Sequence, residues 1–157
     1  MSEDLNKKTS KTKVNIINKN NNINRQIKVK DTLEILTKSS KIYRQNINTK
    51  IIAITGSCGK TTLKELLGSS LNQISKVGIS PKSYNNKYGV PLSIFNLDQK
   101  DDYGVLEIGM DKKGEIDYLS KIAQPDVSVI TNINYAHAKN FKNLKQIALA
   151  KSEIIDN

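Results

Sequence analysis

Residues 55–62, Thr-Gly-Ser-Cys-Gly-Lys-Thr-Thr, put two glycines, one ammonium and a pair of adjacent threonine hydroxyls into eight positions. Gly56 and Gly59 lack a Cβ, so the backbone N–H groups of this stretch, Ser57 and Cys58 included, can turn toward an anion. A helix starting directly afterwards would aim its positive N-terminus at the same anion. Lys60 is then placed to reach terminal phosphates, Thr61 to offer its hydroxyl to Mg²⁺, and Thr62 to continue the anion site. The spacing is G-x-x-G-K-T, because Ile54 stands where the longer G-x-x-x-x-G-K-[ST] pattern has its first glycine. A structural glycine turn is the alternative, and it leaves Lys60-Thr61-Thr62 without a reason. The chemistry predicted is nucleotide binding.

Three further residues could act beside this loop. Glu107 closes the apolar run Val105-Leu106, and a carboxylate at the carboxyl end of a buried strand suits either Mg²⁺ bridging nucleotide phosphates or a lysine partner. His137, the single histidine, follows another predicted strand at the same edge; taken alone such a histidine is more often a loop residue of no consequence than a site residue. Lys151 falls within an apolar stripe of Leu144, Ile147, Ala148, Ile154 and Ile155, which places it on the inward face of a helix. A buried ammonium must reach outward, meet an acid, or lose its proton and become a neutral amine.

The elements that would position these groups alternate. Val29, Leu33, Leu36 and Tyr43 recur at helical spacing, with Asp31 and Glu34 set as N-cap and capping-box partner. The run 51–55 is short, continuous and β-branched, as a parallel strand buried on both faces should be. Leu63, Leu66, Leu67, Leu71 and Ile74 predict a helix after the glycine turn. Strands are predicted at 76–79, 103–108 and 127–131, helical patterns at 91–97 and 114–123, and a last helix from Leu144. The sum is an α/β fold, a mostly parallel sheet with flanking helices of the P-loop NTPase type.

Composition bounds the reading. The chain has 157 residues, 25 Lys and Arg against 15 Asp and Glu, no Trp and 37% hydrophobic residues. That suits one domain core. No run approaches the roughly 18 apolar residues of a membrane span, and the N-terminus has no apolar secretory core, so a cytoplasmic protein without a membrane partner is expected. Cys58, alone, forms neither an internal disulfide nor a thiolate cage. Residues 1–50 hold 12 basic against 4 acidic residues, so the excess charge is N-terminal. Only Arg25 and Arg44 are arginines and aromatics make up 5%, which argues against nucleic-acid recognition. The Asn/Lys-rich stretch 1–26 is read as an irregular basic tail.

Five segments carry a resemblance: ITGSCGKTTLKE (54–65), NNKYGVPL (85–92), LEIGMDKKGEI (106–116), TNINYAHAKNF (131–141) and IALAKSEI (147–154). Their order and content resemble the ATP-dependent Mur ligases, from about Ile27 onward, and the second and third segments favour the D-alanyl-D-alanine-adding branch. Folylpolyglutamate synthases share only the phosphate loop and general layout. The resemblance implies ATP and Mg²⁺ as cofactors, UDP-N-acetylmuramoyl-tripeptide and D-alanyl-D-alanine as substrates, a monomer, and peptide ligation through an acyl phosphate.

It further implies that Lys60 contacts phosphate, Thr61 and Glu107 hold one Mg²⁺, His137 helps hold a second, and Lys151 is the lysine family members can carry as a carbamate. Asn85 and Asn86 match a segment lining the substrate cleft, with a turn-forming Asn-Asn pair the alternative. Cys58 departs from the small polar residue usual at its position, while its backbone N–H still serves. The expected organisation is a connecting helix at 27–50 and a partial ATP-binding domain at 51–157, together a fragment that does not ligate by itself. A non-catalytic nucleotide-binding module is the rival expectation.

Overall fold

β3, Lys50–Thr55, is the strand around which the molecule is built, and its alternate side chains divide between two cores. Ile51 and Ala53 join a large cluster with Val90, Leu106, Ile116, Ile122, Ile147 and Ile154. Ile52 and Ile54 join Val105 on the opposite face, where Leu63, Leu67 and Leu71 pack. Period-two alternation thus makes one continuous apolar run serve two layers.

In the computed structural model, residues 12–17, 23–135 and 140–156 are described. The main sheet has the order β4-β5-β3-β6, with β4 Val77–Ile79, β5 Tyr103–Glu107 and β6 Val127–Ile130, and every pairing is parallel. Among the described residues five helices accompany it: α1 Thr32–Gln45, α2 Lys60–Leu71, α3 Gly89–Phe95, α4 Glu115–Ala123 and α5 Leu144–Ser152. α2 covers the smaller core and the others the larger, the layered α/β architecture expected.

Local chemistry explains most element ends. Asp31 caps α1 by accepting from the Leu33 and Glu34 N–H groups, as anticipated, but Glu34 completes no box and instead accepts from Lys38 at 2.6 Å. Arg44 fastens α1 to the sheet, donating to the carbonyls of Ala123, Thr49 and Gln124 and to Asp126, whose carboxylate also accepts from the Ile51 N–H at 2.7 Å.

Three expectations need correction. Residues 12–17 and 23–29 pair as antiparallel strands, β1 Thr12–Ile17 and β2 Ile23–Val29, so the N-terminal stretch is not irregular throughout. Thr, Val and Ile interleaved with Asn and Lys supply a β-favouring alternation that the polar bias conceals. Leu66 on α2 and Ile74, past the end of that helix, are exposed although they were assigned to the inward stripe. Lys64 and Gly68 occupy the buried face instead, and Gly68 lies so close to Ile79 that a Cβ would clash. On α5 the inward face is Ile147, Ala150 and Lys151, while Leu144 is exposed; Ile154 and Ile155 lie past the end of the helix, the first buried and the second exposed.

Candidate nucleotide and metal site

Thr55 ends β3 at the carboxyl edge of the sheet, and the chain turns at Gly56 (φ +149°) and Gly59 (φ +78°) before α2 starts at Lys60. Gly56 is required twice over: its backbone conformation is disfavoured for other residues, and a Cβ would overlap the Thr131 hydroxyl. The first N–H groups of α2 have no helical acceptors, which leaves this terminus electropositive. Lys60 folds back, its Nζ donating to the Gly56 carbonyl at 3.0 Å.

Not every N–H of the loop faces an anion site. Ser57 donates its N–H to the Asn132 carbonyl (3.1 Å) and Cys58 to the Asn132 side chain (3.0 Å). Thr131 Oγ1 and Asn132 Nδ2 donate to the Cys58 carbonyl, while the Ser57 hydroxyl exchanges hydrogen bonds with the Asn134 backbone. The segment after β6 therefore shapes the glycine loop, a role that sequence reading missed. The available signal was the short-reach polar series Thr131-Asn132-Ile133-Asn134 at a strand's carboxyl end.

Glu107 ends β5 beside the loop with only 2% of its surface exposed. Its Oε2 accepts from Thr61 Oγ1 at 2.7 Å and its Oε1 from Asn85 Nδ2 at 2.7 Å. No lysine partner of Glu107 occurs among the described residues. Thr61 and Glu107, expected together on one cation, are thus brought together. Hard oxygen donors of this kind fit Mg²⁺, which is commonly held by one or two protein oxygens together with phosphates. Among the described residues no three His, Cys, Asp or Glu cluster as a self-sufficient metal cage. His137 lies outside the described residues.

Lys151 is buried at 2% exposure and lines the same cavity of about 350 Å³ as Gly56, Lys60, Asn85, Asn86 and Tyr118. Burial, and next the Lys60 ammonium, push its pKa down to about 8, with Cys58 acting in the opposite sense. Among the described residues its ammonium has no ion-pair partner. Asn85 and Asn86 differ in use. Asn85 holds Glu107, whereas Asn86 accepts the N–H groups of Tyr88 and Gly89 at the start of α3, the turn-forming role left open above.

A glycine loop, a lysine and a hydroxyl–carboxylate pair at the carboxyl edge of a parallel sheet place the chain among α/β proteins with a candidate ligand site at that edge. Comparison with known proteins narrows this class. Residues 54–157 match the Mur ligase middle domain, and the chain belongs to the Mur ligase family. It is 42% identical over 130 residues to the UDP-N-acetylmuramoyl-tripeptide–D-alanyl-D-alanine ligase of Bacillus subtilis, covering 83% of this chain and 28% of that protein. It is 46% identical over 111 residues to the ligase of the same name from Buchnera aphidicola of Acyrthosiphon pisum, covering 71% and 24%.

Among solved structures it resembles MurF of Acinetobacter baumannii, with a TM-score of 0.78 at 42% identity, covering 86% of this chain and 31% of that one. The MurF ligase of Thermotoga maritima in complex with ADP gives 0.75 at 37%, covering 81% and 30%. The chain thus spans less than a third of these relatives' length. No helix of the described residues is long and apolar enough to cross a membrane.

Proposed function

We propose that this chain is the ATP- and Mg²⁺-binding part of a cytoplasmic, monomeric ligase that adds D-alanyl-D-alanine to UDP-N-acetylmuramoyl-tripeptide. The observation that carries this reading is the Thr61–Glu107 pair beside the glycine loop, with Lys60 and Lys151 lining the adjoining cavity. The identity to ligases of that name supports the substrate assignment.

On this reading a peptide carboxylate oxygen attacks the γ-phosphorus of ATP and ADP leaves. The amine of D-alanyl-D-alanine then attacks the acyl carbon, phosphate departs with the bonding electrons, and the nitrogen loses its proton. Lys60 and the N-terminus of α2 neutralise the phosphates, with Gly56, Ser57, Cys58, Gly59 and Thr62 shaping the loop around them. Thr61 and Glu107 would hold Mg²⁺, which supplies charge neutralisation at the transferred phosphoryl group. Asn85 and Asn86 form part of the wall facing the substrate. Lys151, with its lowered pKa, would react with CO₂ to become a carbamate, an anion suited to a second cation that His137 also serves.

Calorimetry tests the nucleotide assignment. The chain binds Mg-ATP weakly, and Lys60→Ala abolishes binding without unfolding it; equal affinity of the two proteins would refute the role of Lys60. The 157 residues alone, incubated with ATP and both peptide substrates, form no pentapeptide, and product above background would overturn the division of labour proposed here.

A further inference from the structure

Lys64 is completely buried, and nothing in the reading above uses it. It lies three residues after Thr61 on α2, and its Nζ donates to the Ser80 carbonyl at 2.7 Å and to the Lys82 carbonyl, with Glu65 Oε1 at 3.1 Å. The two carbonyls take two of the three protons of the ammonium, and the Glu65 carboxylate lies beside it as an ion pair. A core cation is costly to desolvate, so a mere link between helix and loop is made more cheaply by a neutral donor. Here two carbonyls converge on one point, in a turn where Lys82 takes a positive φ of 46°. A long stem ending in several donors answers both.

The loop held this way leads straight into the site. The Ser80 hydroxyl accepts from the Glu107 N–H at 3.3 Å. Five residues on, Asn85 donates to Glu107 Oε1, while its carbonyl accepts from the Gly109 N–H at 2.8 Å. Glu107 Oε2 returns to Thr61. The result is a closed ring running Thr61, Glu107, Asn85, the 82–85 turn, Lys64 and one turn of α2.

We propose that Lys64 is a positioning residue for the divalent-cation site: by tying the turn at 80–85 to the phosphate-loop helix it makes Asn85 occupy one oxygen of Glu107, so that the other faces Thr61. This rests on the nucleotide-binding reading. Removing a group that orients a metal ligand lowers metal affinity about 10- to 100-fold. Lys64→Met keeps the apolar stem and removes the ammonium.

The test is calorimetry of the 157-residue chain with ADP, with and without Mg²⁺. In Lys64→Met the affinity for metal-free ADP stays near that of the unmodified chain, while the gain on adding Mg²⁺ falls at least about tenfold. In an Asn85→Ala background the substitution costs little more, because both act on the same carboxylate. An unchanged Mg²⁺ gain, or a parallel loss of affinity with and without Mg²⁺, overturns the proposal. An unmodified chain that binds no ADP under either condition overturns the nucleotide reading and this proposal with it. Hydrogen exchange on the unmodified chain needs no variant to fold: Mg-ADP, compared with metal-free ADP, slows the amides of residues 82–86. Unchanged exchange there overturns the proposal.

Discussion

Lys64 and Lys151 are both lysines taken out of water, and they are treated in opposite ways. Lys64 Nζ is spent on the Ser80 and Lys82 carbonyls with Glu65 alongside. Lys151, at the wall of the cavity, has the Lys60 cation as neighbour and a pKa brought down to about 8. The first is a cation that the fold completes. The second is a group the fold leaves energetically unsatisfied in its charged form, and such groups gather where chemistry is done. Burial alone does not distinguish them; the count of acceptors does.

The largest effect expected from this contrast is on stability. Lys64→Met leaves the buried Ser80 carbonyl and the partly buried Lys82 carbonyl without this donor and should cost about 3 kcal/mol. The same substitution at Lys151 removes a desolvated charge without orphaning an acceptor among the described residues, and is neutral or stabilising. Denaturant midpoints of the two variants against the unmodified chain measure this, and equal losses would break the comparison.

The pH dependence comes next. Unfolded, Lys151 binds its proton up to about pH 10.4, whereas folded it releases it near pH 8. Between these values unfolding takes up a proton, so stability rises with pH through the window from about 8 to 10.5, by at most about 3 kcal/mol, and is flat above it. Subtracting the Lys151→Met curve isolates this slope. A difference that stays flat from pH 7 to 11 means that the ammonium is solvated after all.

How far the contrast was legible in the sequence depends on what surrounds each lysine. Lys151 stood among Ile147, Ala148 and Ile154, and helical periodicity alone turned it inward. Lys64 stood in a helix with leucines at 63, 66, 67 and 71, where a lysine is assigned to solvent by default. Its burial depends on Gly68 allowing Ile79 to approach and on the carbonyls of a turn 16 to 18 residues away, a tertiary fact that no local period encodes. The strands and helices of residues 50–155 were readable because apolar runs and glycine stops recur there. Glu107 was readable as a strand-end acid, but its bond to Asn85 was not, since the spacing of 22 residues follows from β5 lying next to β4. The hairpin of β1 and β2 was hidden because its alternation is written in Asn and Lys as much as in Ile and Val.

Carbamylation sharpens the contrast chemically. CO₂ reacts with the free amine, so only a lysine that loses its proton near neutral pH is a target. At pH 8 about half of Lys151 is amine, whereas an ordinary lysine is about 0.4% amine there. With the α-amino group blocked by acetylation, incubation with ¹³C-bicarbonate should give one carbamate resonance that disappears in Lys151→Met and persists in Lys64→Met. A resonance that survives Lys151→Met would assign the reactive amine elsewhere.

The smallest effect concerns what completes Lys64. Its carboxylate neighbour Glu65 is 56% exposed, so water screens that contact, whereas the two carbonyls cannot reorient without unwinding the turn. If the carbonyls satisfy the ammonium, Glu65→Gln costs no more than about 0.5 kcal/mol and the cost shrinks in 0.5 M salt, in the range of exposed ion pairs. If the carboxylate were the true counter-ion, its removal would strand a buried charge and cost about 3 kcal/mol, with little response to salt. Unfolding of Glu65→Gln at low and high salt separates the two. A loss near the larger figure would make Lys64 one half of an ion pair, and its contrast with Lys151 would then rest on the acid rather than on the carbonyls.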